Sequence, residues 1–167
     1  MNVLIVSLLS FVAIVFAASC HEAVSPEQLP GTVSPFGIDM MRPLSEGFVE
    51  KYGCITTMFH GGVSSRYVCE RAPAMVSPFV AYGVDVSQGQ VWSVDAIGPF
   101  SEERFDYLNG VLRKKWMEFA FGKFFSPGEG DDRIAIDLSR NSKGDLRLFY
   151  RHVGSWEKVE LLEADSL

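Results

Sequence analysis

Histidine and cysteine are both scarce in this chain, three of each among 167 residues. His21, His60 and His152 lie far apart, and a zinc site needs its imidazole, thiolate or carboxylate ligands clustered, so no metal is expected. Positive charge is in short supply too: 15 Lys and Arg stand against 21 Asp and Glu, a net charge of −6. A chain of that sign repels a phosphate backbone, which sets nucleic acid aside as a partner. Also missing is a glycine-rich run leading into Lys and Ser or Thr, the cradle a nucleotide phosphate needs. His60-Gly61-Gly62 superficially has the glycines of an oxyanion loop. No Gly-x-Ser-x-Gly elbow accompanies it, and a turn explains the pair of glycines better. The acidic residues Glu129, Asp131 and Asp132 lack EF-hand spacing and read as a solvated loop. With neither a phosphate cradle nor a ligand cluster, no cofactor is expected.

What is present is core material. Apolar residues make up 47% of the chain and charged residues 22%, the balance of a folded protein rather than a disordered one. At roughly 100 to 200 residues per domain, the length allows one domain once an export signal is removed.

That signal is the run from Val3 to Ala18, VLIVSLLSFVAIVFAA, closed by Ala17-Ala18-Ser19-Cys20. It is short for the ~20 apolar residues of a membrane span, and small residues follow it, as in a cleaved signal peptide. Asn2 stands where a Lys or Arg is usual, so an uncleaved inner-membrane signal anchor is the alternative. Ala17-Ala18-Ser19-Cys20 resembles the lipobox of bacterial lipoprotein precursors, in which small residues precede a cysteine that is acylated and becomes the new N-terminus. The resemblance covers this segment only. It implies that Cys20 is a lipid anchor, and His21 in place of aspartate implies the outer membrane in enteric-type bacteria. Ala17 stands where such precursors usually carry Leu, which leaves ordinary cleavage after Ala17 or Ser19, and hence secretion, open.

Residues 20–43 hold Pro26, Pro30, Pro35 and Pro43 without helical or strand periodicity, a tether or strap. Phe36, Ile38, Met40 and Met41 make its second half more apolar than a free linker. Beyond it, 44–167 reads as a single domain. Gly61-Gly62 is a two-residue hairpin turn that pairs His60 with Val63, Thr57 with Arg66 and Cys54 with Cys69. The two cysteines face each other at a hydrogen-bonded site, with Cα atoms expected about 5.5 Å apart, and in an oxidising compartment they bridge. Gln88-Gly89 turns a second hairpin, with Tyr82, Val84 and Val86 alternating before it and Trp92, Val94 and Ala96 after it.

From Ser101 to Gly122 the spacing predicts one long helix. Phe105, Leu108, Leu112, Trp116 and Phe119 recur at three- and four-residue steps as a single stripe. Ser101 is the N-cap, with Glu102 and Glu103 in the first turn and Arg113-Lys114-Lys115 near the end. A third hairpin follows, Ile134, Ile136 and Leu138 on one face and Leu146, Leu148 and Tyr150 returning, with Arg147, Phe149 and Arg151 opposite. Trp156 to Leu162 adds a last short strand. The predicted class is α+β, an antiparallel sheet of successive β-hairpins with one long helix packed on one face.

Two constellations carry functional weight. Asp85 and Asp95 in the second hairpin are the available carboxylate pair for acid or base work, and either could instead be half of an ion pair with Arg147 or Arg151 across the sheet. Met117 and Phe121, off the helix stripe, with Phe124 and Phe125, form a candidate partner surface. The expectation is an exported, lipid-anchored envelope protein on the periplasmic side that binds another envelope or exported protein without catalysis, as an inhibitor, an immunity-type protein or an assembly accessory. The alternatives are a periplasmic enzyme using Asp85 or Asp95, and a structural lipoprotein.

Overall fold

The computed structural model describes residues 33–59, 64–127 and 129–164. The signal segment, Cys20 and the turn His60 to Val63 lie outside the described residues. Eight strands form one antiparallel sheet: β1 (Cys54–Phe59), β2 (Ser64–Cys69), β3 (Ala81–Ser87), β4 (Gln90–Gly98), β5 (Met117–Ala120), β6 (Lys123–Phe125), β7 (Ile134–Arg140) and β8 (Leu146–His152). Their order across the sheet is β1-β2-β3-β4-β8-β7-β6-β5. Among the described residues three α-helices accompany them, the single turn α1 (Phe48–Lys51), α2 (Glu102–Lys115) and α3 (Val153–Ala164).

Strand alternation sorts the sheet into two faces. Tyr82, Val84, Val94, Ala96, Leu148 and Tyr150 point into the core. Leu108, Val111 and Leu112 of α2 are buried in the same cluster. Ser101 caps this helix, its Oγ accepting from the Arg104 N–H at 3.2 Å, and acidic and basic residues sit at the ends that suit the helix dipole. Phe36, Ile38 and Met40 of the strap are buried in this core too, Phe36 edge-on to both Tyr82 and Tyr150. Met41 and Arg42 extend the pairing, the Met41 N–H donating to Val91 and the Val91 N–H donating to Arg42.

The α+β class on an antiparallel sheet stands, while the expectation of one long helix does not. α2 stops at Lys115, Trp116 is extended, and Met117 to Phe125 makes a hairpin whose turn holds Gly122 at φ 72°. Phe119 fits a helical step from Trp116 and equally a two-residue step between Met117 and Phe121, so periodicity alone could not place the helix end. A Cβ on Gly122 would meet the Leu138 carbonyl oxygen at 2.5 Å, so the turn lies directly on β7. The C-terminal segment is also corrected, from a short strand to α3. Its sequence EKVELLEA is rich in strong helix formers, and the His152 Nδ1 accepts from the Ser155 N–H in its first turn.

Cys54 and Cys69 pair in the predicted register and are bridged. Their Cα atoms are 3.9 Å apart, closer than the ideal hydrogen-bonded site predicts. Replacing both cysteines with Ser should lower stability by about 2 to 4 kcal/mol, read from the denaturant midpoint. Non-reducing alkylation and intact mass check the bond itself: two alkylated thiols in this pair would show that it does not form.

Candidate functional site

The face of the sheet away from α2 carries the polar chemistry. One row crosses all eight strands there: Thr57, Arg66, Asp85, Ser93, Arg151, Ala135, Phe125 and Met117. The next row runs through Val68, Gly83, Asp95, Phe149 and Asp137.

Both rows meet at Arg66. Its Nη1 donates to both oxygens of Asp85 at 2.9 Å, and its Nη2 donates to Asp95 Oδ1 at 2.7 Å. The remaining Asp95 oxygen accepts from Arg147 Nε at 2.9 Å, and the Ser93 hydroxyl donates to Asp85. Asp85 is 3% exposed and Asp95 is fully buried. Burial alone would lower the Arg66 pKa, but the carboxylates of Asp95 and Asp85 more than offset it and hold the guanidinium charged, its pKa above the ordinary value.

The chain reaches this arrangement by two local departures from a regular sheet. Gly83 lies opposite Asp95, and a Cβ there would collide with both the Asp95 carboxylate and the Arg66 guanidinium. Glycine therefore leaves the gap through which Arg66 crosses a strand. Gly83→Ala should consequently destabilise the domain by about 1 to 3 kcal/mol in chemical denaturation, and an unchanged midpoint would show that the gap is dispensable. The second departure is a bulge between Asp85 and Val86, which leaves Trp92 unpaired against β3. Trp92 packs on Trp156 of α3, and Trp156 in turn lies under the Arg151 guanidinium, 4.9 Å from ring centroid to Cζ.

Chemically, this cluster is a closed chain of ion pairs. General acid or base action needs a carboxyl oxygen within reach of a substrate proton. Asp85 and Asp95 have both oxygens engaged and almost no exposure. Of the ion pairs weighed in sequence, Asp95 with Arg147 forms, whereas Arg151 stacks on Trp156. Sequence reasoning missed Arg66, although its register opposite Thr57 already fixed its face. Among the described residues no group of three or more His, Cys, Asp or Glu is placed to hold a metal ion.

The other constellation is the β5–β6 hairpin at the sheet edge. Met117 is 65% exposed and Phe121 is 67% exposed, on the hairpin rather than on the back of a helix. Phe119, predicted for the core stripe, is 53% exposed and stacks on Phe125, ring centroids 4.3 Å apart. Phe124 must be removed from the surface: it is fully buried, because β6 alternates and its neighbour Phe125 takes the outer face. Phe125 is partly buried, with the Arg133 guanidinium over its ring at 4.4 Å.

Charge around the hairpin is arranged as well. Glu118 accepts from Arg113 at 2.6 and 3.1 Å and from the Gly122 N–H at 3.3 Å. The hydrogen bond from Arg113 holds its carboxyl below the usual range. Arg113 also lies over Phe121, and Lys115 over Trp116 at 4.9 Å.

No protein-family model, curated protein or solved structure matches this chain. Of the two constellations, one is closed on itself, and the other presents large apolar side chains to solvent. No helix of the described residues is long and apolar enough to cross a membrane.

Proposed function

We propose that the protein is an exported component of a bacterial envelope, tethered through Cys20, whose domain acts by binding and not by catalysis. The supporting observation is the β5–β6 hairpin, which holds Met117, Phe119 and Phe121 more than half exposed on an edge of the sheet. Edge strands present unpaired backbone groups, and natural sheets usually guard them with outward charges. Here the one acid of β5, Glu118, is folded back onto Arg113. The edge is thus left apolar, as a contact surface for another constituent of the envelope requires. The tether is supported by the small residues before Cys20 and the Pro-rich stretch after it. A single acyl chain binds only marginally, so stable anchoring takes the several chains that mature lipoproteins carry.

Two experiments test the halves separately. Cys20→Ser should move the protein from the membrane fraction washed in high salt to the soluble one; persistence of both forms in the washed membrane would identify a signal anchor instead. Chemical cross-linking of intact cells should place the hairpin next to an envelope constituent, with loss of the adduct in Phe121→Glu. A hydrolytic activity abolished by Asp85→Asn or Asp95→Asn would establish the enzyme reading in its place.

A further inference from the structure

We infer that the constituent met by the β5–β6 hairpin is an anionic lipid surface, a deepening that rests on reading this hairpin as the contact surface. At the hairpin the cations Arg113, Lys114, Lys115 and Lys123 stand against Glu118 and Asp137, a local +2 in a chain whose total is −6, so the remainder carries −8. An acidic protein thus carries net positive charge beside its exposed aromatic edge. Both acids are neutralised within the molecule, Glu118 by Arg113 and Asp137 by Lys123 at 3.4 Å.

Along the chain the cations flank the apolar side chains: Lys114 and Lys115 end α2, Lys123 opens β6 and is half exposed, and the exposed Met117, Phe119 and Phe121 come between them. Lys115 and Arg113 run over the rings of Trp116 and Phe121, the way long basic side chains cover apolar surface and carry their charge to its margin. Aromatic and Met side chains sunk to the boundary between headgroups and acyl chains, with Lys and Arg at the phosphates, are how peripheral segments hold an anionic bilayer. Cys20 precedes Val33 by thirteen residues, at most about 45 Å of chain, so an anchor there keeps the hairpin within reach of the same bilayer.

The test uses the intact chain mixed with vesicles of phosphatidylcholine alone or of phosphatidylcholine with phosphatidylglycerol. Hydrogen exchange is followed at residues 117–125, with β1 at the opposite edge as internal reference. Exchange in the hairpin should slow on the anionic vesicles and return to the free rate in high salt. Two net positive charges favour the anionic surface over the neutral one by roughly thirtyfold. Met117→Glu with Phe121→Glu should abolish the protection. So should Lys114→Glu, which leaves every apolar residue and the Lys123–Asp137 pair in place. Ile55→Glu, on the far edge and 66% exposed in the parent, should change nothing. Equal exchange on both vesicles overturns the lipid inference. If the hairpin is then protected by added envelope proteins, and Phe121→Glu removes that protection, the contact surface stands with a protein partner. If neither lipid nor protein protects it, the reading of the hairpin as a contact surface falls as well.

Discussion

Asp95→Asn should cost the domain about 3 to 5 kcal/mol, one of the largest losses available to a change of so few atoms. The substitution keeps size and shape but removes the charge that faces two cations at once. Arg147, 31% exposed at its side chain, can turn toward water and recover part of the loss. Arg66, at 18%, is held between β1, β3 and β4 and keeps only Asp85. Urea unfolding measures the effect. A change below about 1 kcal/mol, the range of exposed ion pairs, would mean that water already screens the cluster. Adding Arg66→Met to Asp95→Asn should deepen the loss, because it strips the buried Asp85 carboxylate of the cation that meets both its oxygens.

Trp116→Ala should be comparably damaging, at about 3 to 5 kcal/mol. Trp116 closes α2, its N–H donating to the Leu112 carbonyl at 2.9 Å, and it is 7% exposed. Its indole meets Tyr150 edge-on, ring centroids 6.0 Å apart, and so joins the helix end to a central strand. A mutant that melts within a degree or two of the parent would show that this corner of the core refills.

Much of this could be read from the chain, and the failures have definite causes. Gly61-Gly62 set the Cys54–Cys69 register because a two-residue turn admits one pairing, and Gln88-Gly89 likewise placed the second hairpin. A clue to the bulge was present in that second hairpin. An unbroken register from Gln88-Gly89 sets Tyr82 opposite Asp95, putting Tyr82, Val84 and Val86 on one face and Val94 and Ala96 on the other. One inserted residue brings the apolar sets together, and by the same shift brings Asp85 and Asp95 onto one face. The pairing of β2 with β3 was not legible, since a loop of eleven residues fixes no register, and Arg66 was lost with it. The edge hairpin failed for another reason. Its apolar residues satisfy both periods, and the helix was extended through them because the stripe before them was strong.

The strand order carries a consequence for how the domain is made. β8 is the last strand in sequence, yet it lies in the middle of the sheet between β4 and β7. Its register joins Ser93 to Arg151 and Gly98 to Leu146, contacts some fifty residues apart along the chain. Such distant pairing makes closure slow, and until it occurs β4 stands as a bare edge with Val94 and Ala96 uncovered. A ribosome stalled between β7 and β8 would therefore leave two half-sheets with sticky inner borders, not a smaller working domain.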